Sequence, residues 1–178
     1  MSGIKTSWHL WWSWDTKKVE KWLENMETKG WTPYKVDMFG TRFKFKRSES
    51  SRVRYCVDFQ QDIEDQYIKL LEDDDWELVW NDNFGWFIWK KAYLNERPSI
   101  YTDSTSLIER NNRVIAVLRP LFYMIIGIFA LIGIFRNHLP FIDYVFWIYL
   151  LIIALYGYIF LQIKKSNEKL KENNDIEA

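Results

Sequence analysis

Six side chains in the first 93 residues carry the chemistry of a small-molecule site: His9, Trp11, Arg54, Asp58, Phe87 and Trp89. Trp11 and Trp89 would be its walls and Asp58 its counter-charge. Such a groove suits an aromatic or cationic ligand, because a cation is attracted both to the face of an aromatic ring and to a nearby carboxylate. A second grouping, His9, Cys56 and Asp58, has the residue types of a base, a nucleophile and an orienting acid. Nothing in the sequence supplies an oxyanion hole to go with it, so no catalytic residue is assigned and the reading leans away from an enzyme. Cys56 is the only cysteine, and His9 and His138 lie far apart in the chain, which argues against a metal site and an internal disulfide. With no phosphate loop or dinucleotide fingerprint, no cofactor is expected. No basic tract interleaves with aromatics in the way a nucleic-acid surface needs.

The elements that must hold these residues follow from a pattern stated twice. KGWTPYKVDMFGTRFKFK (29–46) aligns with DDWELVWNDNFGWFIWKK (74–91) at a constant offset of 45, with Trp31 on Trp76, Gly40 on Gly85 and Lys46 on Lys91. The same offset carries Trp22 onto Tyr67, Met26 onto Leu71 and Trp14 onto Phe59. Val19, Trp22, Leu23 and Met26, and then Ile63, Tyr67, Leu70 and Leu71, recur at helical spacing behind a candidate capping acid, Asp15 or Asp62. Before each helix lies an alternating strand. Its inward set is Trp8, Leu10, Trp12 and Trp14 in one copy and Val53, Tyr55, Val57 and Phe59 in the other; His9, Trp11 and Ser13, and Arg54, Cys56 and Asp58, take the opposite face. Two short strands follow each helix, joined at Phe39-Gly40 or Phe84-Gly85, where glycine can adopt positive φ. The expected fold is α+β: a tandem strand-helix-strand-strand repeat forming an antiparallel sheet with two helices on one face, each copy of about 45 residues being marginal for an independent core.

The copies diverge at one informative place. Arg42 and Lys44 in the first correspond to Phe87 and Trp89 in the second. Two large aromatics on a solvated sheet face would mark a binding surface. Alternatively a partner chain, the membrane surface or the linker covers that face.

Charge divides the chain of 178 residues into different solvents, so its formal net charge of zero says little about partners. LFYMIIGIFALIGIF (121–135), extended back to Val114, and YVFWIYLLIIALYGYIFLQI (144–163) are each long enough to cross about 30 Å of hydrocarbon. Neither shows the polar stripe of a half-exposed helix. Arg110, Arg113 and Arg119 precede the first run, Lys164, Lys165, Lys169 and Lys171 follow the second, and Arg136 is the one fixed cation of the connector. That bias predicts a multi-pass cell-membrane protein with both termini cytoplasmic. Small residues, Gly127, Ala130, Gly133, Ala154 and Gly157, suggest close contact between the helices. The expected organisation is a duplicated cytoplasmic domain (1–93), a linker and helix start (94–113), the first span (114–135), a short outer loop (136–143), the second span (144–163) and a charged tail (164–178).

WDTKKVEKWLENMETKGW, the FG turn, RYCVDFQ, the second tryptophan and IYTDSTSLIERNNR resemble an uncharacterised bacterial family of membrane-anchored domains of unknown function, often encoded beside PadR-type transcriptional regulators. The likeness runs from about Trp14 to Arg113 and brings no catalytic residues with it. The order of elements also resembles the tandem effector domains of gyrase-inhibitor-like, multidrug-responsive regulators. Two functions are therefore expected to compete. One is a membrane-tethered sensor or ligand-binding module working with a neighbouring regulator. The other is a non-enzymatic interaction protein that docks a protein partner, or a second copy of itself, through its aromatic sheet face.

Overall fold

The computed structural model describes residues 3–61, 65–101, 103–135 and 142–177. Asp62 and Ile63, and the connector residues Arg136 and His138, lie outside the described residues. The class is α+β, and the chain forms two compact units, Met1–Ser106 and Leu107–Ala178. In the first, β1 (Ile4–Trp8), α1 (Thr16–Thr28), β2 (Trp31–Asp37) and β3 (Arg42–Arg47) precede β4 (Val53–Phe59), α2 (Asp65–Asp73), β5 (Glu77–Asn81) and β6 (Trp86–Ala92). Strand-helix-strand-strand thus occurs twice. The ladder bonds stay within each half, giving two three-stranded antiparallel sheets, ordered β1-β3-β2 and β4-β6-β5. β2 and β5, the outer strands of the two sheets, lie against each other.

α1 forms where the apolar period demands it, with Val19, Leu23 and Met26 buried. Asp15 stands at its N-cap position, but its carboxylate bridges to Lys18 at 2.5 Å instead of capping the helix. Gly30, at φ 72°, turns the chain out of the helix into β2. Gly40 and Gly85 have positive φ in the two turns, as their place beside Phe39 and Phe84 suggests.

The first strand corrects the sequence reading. Arg42 and Phe87 are 45 apart, but their ladder partners, Trp8 and Asp58, are 50 apart. β1 therefore ends where a strand equivalent to β4 at offset 45 would begin. Because side chains alternate with period 2, a slip by an odd number exchanges the faces. Trp8, Leu10 and Trp12 are exposed rather than core, whereas His9 and Trp11, on the connector to α1, are half-buried.

The helices are also placed differently. Trp22 of α1 packs edge-on against Phe43 and Phe45, and α1 closes a core that both sheets share through Val36, Tyr55, Val57 and Ile88. Tyr67 of α2 packs instead on Phe87 and Trp89, the other face of the second sheet, where Cys56, Leu71 and Trp76 complete a smaller cluster. One helix serves each sheet, on opposite faces in the ladder numbering, because only the second copy has aromatics at the outward positions.

In the second unit, α3 (Ser104–Phe135) carries Pro120 within it and α4 (Ile142–Glu177) continues through the charged tail. Phe122 stacks with Tyr156, Phe129 packs at a tilt against Phe146, and Asn111 Nδ2 donates to Asn167 Oδ1 at 2.6 Å, so the helices run antiparallel as a hairpin. Aromatic rings make the contact. Gly127, Gly133 and Gly157 face open space, contrary to the expected small-residue seam. Both helices are long and apolar enough to cross a membrane.

Candidate functional site

Asp58, 1% exposed, is the polar centre of the second sheet. One carboxyl oxygen accepts from the Phe59 amide at 2.6 Å and from the Tyr101 hydroxyl; the other accepts from Gln60 Nε2 at 2.7 Å and the Tyr67 hydroxyl at 2.6 Å. Trp89 Nε1 in turn donates to the Tyr67 oxygen at 3.1 Å. A carboxylate offers about four acceptor directions, so these donors fill it. Burial raises the Tyr67 hydroxyl above its ordinary value, and the neighbouring Asp58 charge and hydrogen bond act in the same direction.

Phe87 and Trp89 do not form an open aromatic face. Both are fully buried and stack on each other at 6.1 Å beneath Tyr67. Ile100 packs against the same cluster and Tyr101 reaches Asp58, so α2 and the segment before α3 together close this side of the sheet. Of the covers weighed from the sequence, the linker is the one observed.

Arg54 is spent on α1. Its guanidinium bonds Glu24 at 2.7 Å and Glu20 at 2.9 Å. The same glutamates accept from the Val57 amide at 3.1 Å and the Tyr55 amide at 3.3 Å, on the outer edge of β4 where no strand of its own sheet lies beside it. Arg97 adds a bond to Glu24 at 2.9 Å.

His9 stacks on Trp22 at 4.4 Å, and burial lowers its pKa below 6.5. Trp11 donates from Nε1 to the Gly40 carbonyl at 2.8 Å and meets Trp86 edge-on. Cys56 faces the α2 cluster, with burial pushing its thiol up to about 12 despite the opposing Arg54 charge. The base and nucleophile of the imagined triad thus stand in different packing clusters, and the acid is occupied by tyrosines.

Asp58, Phe87 and Trp89 are therefore gathered on the second sheet, but as interior, Arg54 is half-buried at the edge of that sheet against α1, and His9 and Trp11 belong to the connector beside α1. The sequence reading missed Tyr67 and Tyr101 as partners of Asp58, and Glu20 and Glu24 as partners of Arg54. For the glutamates a signal existed: two acids one helical turn apart on a helix that must cover a sheet edge. For Tyr101 there was none, since it lies 43 positions from Asp58.

No curated protein and no solved structure matches the chain. A family model described as a protein of unknown function (DUF2812) matches residues 15–125, from the turn before α1 into the apolar part of α3, and the chain belongs to that family.

Proposed function

We propose that the protein is a membrane-anchored, non-catalytic interaction module: α3 and α4 anchor it, both termini face the cytoplasm, and a duplicated α+β unit works at the bilayer surface. The observation that carries this reading is the apolar flank of the hairpin. The apolar window of each helix is 0% buried, and Leu131, Ile134, Trp147, Leu151 and Leu161 are all exposed. Side chains of this kind have a suitable solvent only in hydrocarbon. The orientation is supported by the lysines and arginines that flank the helix ends away from the connector.

The test is extraction and labelling of the full chain in cell membranes. The protein should stay in the pellet after alkaline carbonate, and a cysteine at Ser2 should react with an impermeant reagent only after the cells are opened. Release into the supernatant would remove the anchor; labelling in intact cells would reverse the orientation.

Ligand sensing keeps a narrower form, favoured by one contact. Tyr101, from the segment that leads into α3, already occupies the acid a cationic aromatic would seek. A ligand acting there must displace it, and displacement would loosen the chain just before the membrane helix.

A further inference from the structure

The same face of the third strand has opposite fates in the two sheets. In the second sheet Phe87 and Trp89 are covered by α2 and by Ile100. In the first, the corresponding face carries Arg42, Lys44 and Lys46, opposite Trp8, Thr6 and Ile4 of β1, with Lys35 opposite Lys44 on β2. No described element of the α+β unit packs over it, and Ile4 and Trp8 are 68% and 59% exposed. Asp37 is the one acid among these positions, and Arg42 holds it bidentately at 2.5 and 2.8 Å. Asp37 also feels the charges of Lys44 and Lys35, but among the described residues of the face this one carboxylate stands against Arg42, Lys35, Lys44 and Lys46, which leaves the face basic. Arg42 also lies over the Trp8 ring at 5.6 Å.

We propose that this outer face of the first sheet docks on the headgroups of an anionic lipid bilayer. The excess of positive charge calls for a negatively charged partner. An exposed tryptophan and isoleucine among them suit the headgroup boundary, where amphipathic rings settle and where basic residues add attraction to anionic lipid. Surface attachment of this kind needs two signals, and here the basic and apolar signals share one face. The chain brings the partner within reach: the segment before α3 is packed on the α+β unit through Ile100 and Tyr101 and leads straight into α3, so an inserted hairpin keeps the unit at high effective concentration beside the leaflet. The inference rests on the anchor reading above.

The full chain in lipid nanodiscs tests it, with a spin label on Thr6→Cys; native Cys56 is 1% exposed and stays unlabelled. Replacing about a third of a phosphatidylcholine disc by phosphatidylglycerol should cut the label's collisions with a water-soluble nickel reagent about threefold or more. About 0.5 M salt, which shortens screening to a few ångströms, should restore them. Lys44→Glu with Lys46→Glu should remove the lipid dependence, while a label on Glu72→Cys, on α2, should not respond to the lipid at all. Equal accessibility of the Thr6→Cys label in both lipids overturns the proposal. So does protection that is equal in both lipids and appears only with two copies per disc, which would make the face a contact between copies. A chain that never enters discs and is released by carbonate overturns the anchor reading itself, an outcome distinct from either of these.

Discussion

A carboxyl group as deeply buried as Asp58 must be met by donors, because an unmatched buried acceptor costs more than the net worth of its hydrogen bond. Among its partners, Tyr67 comes from α2 and Tyr101 from the segment before α3, so this one residue fastens two neighbours to β4. Tyr101→Phe removes a donor without leaving a cavity and should lower stability by about 1.5–3 kcal/mol, the range for bonds to a charged group. Asp58→Ala should cost more than Tyr101→Phe, since it takes the buried acceptor from both Tyr67 and Tyr101 at once and removes side-chain volume as well. Urea unfolding followed by tryptophan fluorescence measures both; a Tyr101→Phe loss below about 0.5 kcal/mol would mean the contact holds nothing. The sequence singles out Asp58 together with Phe87 and Trp89, and the ladder does pair Asp58 with Phe87 and Cys56 with Trp89. Alternation along a strand shows which residues share a face. It does not show what lies above that face, and here the cover turned a candidate groove into interior.

Turns and helices were the legible elements, because their signals are local. Gly40 and Gly85 occupy the two turns at positive φ, and Gly30 ends α1. The first strand was misread because the offset of 45 was carried past the helix into a connector longer in one copy, and an odd slip exchanges inside for outside. The glycines allow a graded test of the turn geometry. A Cβ on Gly85 would stand 2.1 Å from the Gln60 carbonyl oxygen at φ 104°, a backbone clash added to an unfavourable dihedral. Gly85→Ala should therefore destabilise by about 3 kcal/mol or more. On Gly40 the nearest atom is the outer edge of the Trp80 ring at 2.9 Å, which can tilt away, so Gly40→Ala should cost about 1–2 kcal/mol. Thermal unfolding of the two variants side by side should give this order; the reverse order would refute the close approach of Gly85 to Gln60.

For the whole molecule, hydropathy was enough to find α3 and α4, since a continuous apolar run needs no tertiary information to be recognised. The division between the parts was harder to read. A sequence boundary near residue 93 follows the end of the last strand, yet Arg97 bonds Glu24, Ile100 packs in the α2 cluster and Tyr101 bonds Asp58, so the compact unit runs to Ser106. A water-soluble fragment should respect that limit. Residues 1–106 without the apolar helices should fold in the absence of detergent, with Trp76 and Trp89 buried and blue-shifted in emission. Cutting at Arg97 instead removes the Ile100 side chain from its packing and Tyr101 from Asp58, a combined loss of about 2–4 kcal/mol from apolar burial and one hydrogen bond. At about 4–8 °C per kcal/mol for a domain of this size, the shorter fragment should melt roughly 10 °C or more below the longer one. Equal Tm values for the two fragments would show that the segment before α3 contributes nothing to the α+β unit, and would remove the linker as the cover of Phe87 and Trp89.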